Sequence, residues 1–312
     1  MSQENSIRVA AIQLCAKLAD VEYNLNKIEQ LVRDAAKKNT EWVVLPEFFS
    51  SACAFHPKMH DAILPLDGMA SQLLKRLANE LNIVIGGSFL AKHEQDVFNT
   101  FLLVFPKGEV YPHNKDIPSM WENCYYLGSE HDEGVLETAT HRVGVALCWE
   151  MLRSQTAQRL AGKTDFVLSG SCWWNLPDDA PAKFDSLRKK SLQLLHSAPI
   201  TFAKLLGVPV IHAGHAGNFE GFAAPSETKL YKSHYLGETM IVDRDGSILQ
   251  RLSRDSGDGV IVAEIDIQKQ ATPSAEIPEQ YWIPDMPKAF LAEWEKQNKF
   301  GAEYYKTKVS LK

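Results

Sequence analysis

The chain lacks any C-x-x-C pair; its five cysteines, Cys15, Cys53, Cys124, Cys148 and Cys172, are scattered and odd in number. A disulfide framework needs paired spacing, so free thiols in a reducing compartment are expected. Long apolar runs are missing too, which speaks against a bilayer-spanning helix. The opening MSQENSIRVA has no apolar h-region, so no secretory signal is expected and the cytoplasm is the expected setting. No block of like charge exceeds a few residues, and the net charge is only −6. That argues against nucleic acid, whose binders carry a basic face. No G-x-G-x-x-G or P-loop follows a strand, so GNFEGF (217–222) reads as a loop and not a phosphate cradle. Cys53, His56 and His60 have metal-like spacing, but Pro57 interrupts any helix that would bring both histidines to one face.

What is present is ordinary for a globular protein: 312 residues, 45% hydrophobic and 23% charged, enough to bury a core without staples. Short apolar runs alternate with amphipathic segments. Strands are expected over 7–14, 41–49, 82–90, 142–148, 165–171, 208–214 and 259–267, with hairpins over 97–111 and, at an Asp-Gly turn, 238–252. Helices are expected over 21–39, 69–81, 184–206 and from just after Cys148 to about Ala161. The pattern predicts an α/β or α+β fold with helices outside sheets. No polar linker divides the chain, so one domain is expected over 1–270. Residues 271–312, rich in Pro and aromatics, read as a C-terminal extension.

Three residues stand at positions that suit chemistry. Cys148 ends a strand, where α/β folds place their sites, and precedes a helical segment whose dipole is expected to lower the thiol pKa. A thiolate needs a proton acceptor. Any of ten histidines would make a Cys-His enzyme, although no local signature of one is present. Glu47 is the more specific candidate. In VVLPEFF it follows an apolar strand and faces Phe48 and Phe49, which would desolvate the carboxyl and raise its pKa toward the general-base range. Lys115, between Pro112 and Pro118, would supply a cation for an oxyanion.

Taken together, LPEFF, HNKDIP and GVALCWEM resemble the glutamate, lysine and cysteine motifs of the nitrilase superfamily of carbon–nitrogen hydrolases. IRVAAIQL, LDGMASQLLKRLANELNIVIGGSF and the run from 238 to 267 resemble its framework; the tail beyond about 270 lies outside. The resemblance implies a four-layer α-β-β-α sandwich, homodimers or larger assemblies, and a small-molecule substrate handled without metal or organic cofactor. It makes Cys148 the nucleophile, Glu47 the general base and Lys115 the oxyanion cation, with the Trp149 backbone N–H completing the oxyanion hole. Glu122, in WENCYYLG, becomes the second active-site glutamate, and Trp173, in SCWWN, a substrate contact.

The expected activity is hydrolysis of a small carboxamide or N-carbamoyl compound through a thioester on Cys148. A nitrilase using the same triad is the near rival, because CWE resembles that branch. A non-catalytic binding member would be favoured by loss of a triad residue, and none is lost; a Cys-His protease or transferase would need a histidine at Cys148. Cys172 reads as a small buried hydrophobe, and His212 and His215 read first as satisfied structural histidines, with a place beside the site as the alternative for one of them. The apolar tail is expected to pack across a homodimer interface, or else as a flap on its own subunit.

Overall fold

The computed structural model describes residues 6–129, 132–268 and 271–310. In chain order the first strands are β1 (Ser6–Gln13), β2 (Trp42–Val44), β3 (Leu64–Pro65), β4 (Val84–His93), β5 (Asp96–Val104) and β6 (Val110–Asn114). There follow β7 (Val135–Glu137), β8 (Arg142–Val145), β9 (Phe166–Ser171) and β10 (Val210–Gly214). The small hairpin β11 (Asn218–Phe222) and β12 (Leu230–His234) precedes β13 (Gly237–Val242), β14 (Ile248–Ser253) and β15 (Gly259–Asp266). The helices are α1 (Val21–Ala36), α2 (Met69–Leu81), α3 (Ser154–Leu160), α4 (Asp185–Leu206) and α5 (Lys288–Lys308).

Two large sheets result, in the orders β15-β1-β2-β4-β5-β6 and β14-β13-β10-β9-β8-β7. Their facing sides share one apolar layer. Ile7, Val9 and Ala11 of β1 meet Val143 and Val145 of β8, Leu168 of β9 and Ile211 of β10. The alternate residues of β1, Ala10 and Ile12, point the other way and pack with Leu25, Ile28 and Val32 of α1 and Leu74 and Leu77 of α2. Burial on both faces is why these strands read as continuous apolar runs without alternation. α4 covers the outer face of the second sheet through Leu195, Phe202 and Leu206. The four layers are therefore α-β-β-α, as the resemblance implies. Among the described residues no helix is long and apolar enough to cross a membrane.

Two sequence expectations change. The 41–49 run forms ladder only over β2, because Pro46 has no N–H to give and the chain turns at Phe48, φ 54°. The tail is more than an extension. Past β15 the chain bridges back at Trp282 to Arg153, and α5 lays Tyr304 and Tyr305 into the core on the α1–α2 side. Trp282 and Trp294 join the cluster on the other side. Large aromatic side chains gain most from burial, and the chain's own surface accommodates them.

Candidate active site

Three strand ends converge at one rim of the sandwich. Glu47 follows β2, Lys115 follows β6, and Cys148 lies just beyond β8. All three are fully buried. Lys115 Nζ donates to Glu47 Oε1 and to Glu122 Oε2, each at 2.9 Å. Glu47 Oε1 also accepts from Asn99 Nδ2 (2.8 Å), and its Oε2 accepts from the Cys172 backbone N–H (3.1 Å). Glu122 Oε2 accepts from the Ser119 N–H at 3.1 Å and from the Tyr126 hydroxyl. The charges of Glu47, Lys115 and Glu122 all act on the Cys148 thiol. Glu47, Lys115, Cys148 and Glu122 thus form one buried group.

Burial raises the Glu47 carboxyl, the Lys115 cation opposes this and Glu122 adds to it, leaving Glu47 at about 7. Burial works against the Lys115 ammonium, but Glu122 and Glu47 outweigh it and hold Lys115 protonated. The expectation for Cys148 is corrected. Burial, reinforced by the Glu47 charge, pushes its thiol well up instead of down. The reason is local: Cys148–Leu152 is a single 3-10 turn, and α3 begins only at Ser154. A one-turn segment offers little dipole to set against desolvation. Cys148 itself has φ 52°, a left-handed conformation that costs a non-glycine residue energy. That sharp turn takes Cys148 off the strand end, to where the Glu47 and Lys115 charges act on its thiol.

Trp149 and Trp173 stack on each other with ring centroids 4.6 Å apart. Phe290 stacks on Trp149 at 5.6 Å, and Trp282 and Trp294 meet it edge-on. Cys148 belongs to the same apolar cluster, and three of the rings packed on its neighbour Trp149, those of Trp282, Phe290 and Trp294, come from beyond residue 270. His215 borders the site, its Nε2 donating to the Glu47 carbonyl at 2.7 Å. His212 instead accepts from the Ser171 hydroxyl (2.7 Å) and donates to the Glu238 carbonyl (2.9 Å). Burial lowers both imidazoles to about 4, so they stay neutral. The groups that act most on the Cys148 thiol are Glu47, Lys115, Glu122 and Cys172, with no histidine among them. No group of three His, Cys, Asp or Glu among the described residues is arranged to hold a metal ion.

Sequence reasoning missed Asn99, on β5, and Glu150. No local motif points to Asn99, which reaches Glu47 only through pairing of β4 with β5. Glu150 had a signal: it stands three residues after Leu147 and bonds back to the Leu147 N–H at 2.7 Å, the spacing of half a capping box. Glu122 uses the same device on Ser119.

Comparison with known proteins follows the same line. The family model described as carbon-nitrogen hydrolase matches residues 8–272. An omega-amidase of Xenopus laevis (NIT2-B) is 30% identical over 152 residues, 45% of this chain, and the match spans about half, 54%, of that relative. A nitrilase of Pyrococcus abyssi is 22% identical over 52% of this chain and 63% of its own. The N-carbamoylputrescine amidase of Solanum tuberosum is 25% identical over 86% of this chain and 89% of its own. Among solved structures, a carbon-nitrogen hydrolase from Helicobacter pylori G27 superposes with a TM-score of 0.72 at 18% identity, covering 85% of this chain and 90% of that one.

Proposed function

Because the chain belongs to the carbon–nitrogen hydrolase family, we propose that it is a thiol amidohydrolase acting on a small carboxamide or N-carbamoyl compound. The observation that carries this reading is the buried Glu47–Lys115–Glu122 ion network acting on the Cys148 thiol. In the resting site the thiol is neutral and Glu47, near 7, is the acceptor. Cys148 Sγ attacks the amide carbon as its proton passes to Glu47. The oxyanion develops beside Lys115 and the Trp149 N–H, a first-turn donor with no acceptor inside its own turn. Glu47 returns the proton to the departing nitrogen, releasing ammonia or amine and leaving a thioester on Cys148. A water deprotonated by Glu47 then hydrolyses the thioester.

A nitrile would meet the same nucleophile and yield the carboxylic acid and ammonia, and CWE together with the Pyrococcus abyssi match keeps that reading open. One feature favours the amide. Glu122 Oε1 is buried and makes no hydrogen bond; an amide N–H can donate to it, whereas a nitrile has no donor to offer. We further propose a homodimer, supported by Phe184 and, near the start of α4, Leu187 and Leu192, which are exposed. Ammonia release from panels of carboxamides, N-carbamoyl compounds and nitriles, with Cys148→Ala as control, tests the activity. Release from nitriles alone, or from none, would overturn the amide reading.

A further inference from the structure

We propose that Glu150 is a positioning residue that locks the nucleophile turn to the lysine loop. Cys148 and Lys115 come from different sheets, β8 and β6, and between those sheets the contact is an apolar layer. Apolar packing is non-directional and does not by itself fix distances to the few tenths of an ångström that proton transfer requires. The Cys172 N–H and His215 bonds to Glu47 also cross between the sheets, but it is Glu150 that ties the cysteine turn to the lysine loop. Its Oε2 accepts from the N–H of Leu147, the residue before the nucleophile, at 2.7 Å. Its Oε1 accepts from the N–H of Asp116, the residue after Lys115, at 2.9 Å. One carboxylate, fully buried, thus bonds the backbone on both sides of the site.

The clamp is backed from behind. His113 Nε2 donates to Glu150 Oε2 (3.3 Å), and His113 Nδ1 lies 2.8 Å from Asp132 Oδ1. Asp132 Oδ2 in turn accepts from the Asn114 N–H at 2.7 Å. Burial alone would neutralise His113, but Glu150 and Asp132 outweigh it and hold the imidazole at about 10, a cation between two anions. A second latch runs parallel: Asp116 Oδ1 pairs with Arg153 Nη1 at 2.5 Å and Oδ2 with Arg159 Nη2 at 2.8 Å. Arg153 directly follows the cysteine turn. An ion cluster this buried is expensive to assemble where apolar side chains would pack, and here its bonds end on the two segments that carry nucleophile and cation.

The proposal rests on the Cys148 chemistry above, and its test separates the two. Glu150→Gln keeps volume but turns an N–H₂ toward one of the two backbone donors, so one side of the clamp opens. We expect kcat to fall about 10- to 100-fold with KM within about threefold, the size of effect a displacement near 1 Å produces. Alkylation of Cys148 by iodoacetamide should slow by a similar factor, because the thiol loses its aligned base and cation. Asp132→Asn, at a partly exposed position, weakens the support of His113 and of the Asn114 N–H beside Lys115 while leaving both Glu150 backbone bonds in place, and should give a smaller change of the same sign even if Glu150→Gln does not fold. Unchanged kcat and alkylation in the folded Glu150→Gln variant would overturn the proposal. So would unchanged values in Asp132→Asn where Glu150→Gln does not fold, or a lowered melting temperature as the sole effect. A wild-type protein that releases no ammonia would sink the reaction while leaving the alkylation comparison intact.

Discussion

At the scale of single residues, the site works by desolvation. Removing Glu47 and Cys148 from water raises both groups, yet a carboxyl near 7 and a thiol well above its usual range still form a base and an acid suited to exchange a proton at attack. Two outcomes follow. Cys148→Ala should lower ammonia release by more than about 10³-fold with an unchanged circular dichroism spectrum; substantial residual turnover would refute its role. The second concerns pH. Glu47 accepts the proton only when ionised, and its folded-state value is raised, so kcat/KM should be flat above about 7 and fall about tenfold per unit below it. An acid limb centred near the ordinary carboxylate range, around 4, would contradict Glu47 as base. Glu47, Lys115 and Cys148 were legible because each sits at a strand end in a recognisable motif. Asn99 was not, because its partner lies 52 residues away in sequence and no local pattern encodes that meeting. The sign of the Cys148 shift was misread for a related reason: the dipole was inferred from chain order, whereas desolvation is a property of everything packed around the sulfur.

At the scale of elements, the decisive features are the ends of strands. α2 begins and stops where the pattern predicts, Met69–Leu81, since its amphipathic period and the left-handed Asn82 that ends it are local. The segment after Cys148 splits into a 3-10 turn and the short α3, because the buried Glu150 carboxylate holds the first turn to the lysine loop. β9 shows how closely the sheets approach beneath the site. A Cβ built on Gly170 would lie 2.5 Å from the Glu47 backbone nitrogen, so only glycine lets β9 pass this close under Glu47. Gly170→Ala should cost about 1–3 kcal/mol through overpacking, read as a lower denaturation midpoint, and should also reduce kcat. Retained stability with full activity would show that the contact relaxes freely.

At the scale of the molecule, the tail packs against the turn that carries Glu122. A Cβ on Gly301 of α5 would stand 2.5 Å from Asn123 Cβ, in the turn Met120–Cys124 that carries Glu122. Asn298 Oδ1 accepts from Asn123 Nδ2 at 3.0 Å beside it. Gly301→Val should therefore lift α5, increase dye binding to exposed aromatics and lower kcat, measurable by fluorescence and turnover together; no change in either would mean that the docking is incidental. Sedimentation of the full chain should give twice the monomer mass, and Leu187→Glu with Leu192→Glu should halve it. A monomer in the unaltered protein would remove the dimer proposal.

The sequence by itself determined the run of strands and helices and the placement of the three motif residues, because hydrophobic period, turn chemistry and strand ends are written within a few neighbouring positions; the two-sheet sandwich came from the resemblance. Tertiary structure alone decided the protonation of the thiol, the Asn99 and Glu150 bonds, and the burial of the tail's aromatics. Those depend on which distant segments exclude water from one another, and burial, unlike periodicity, has no local signature in the chain.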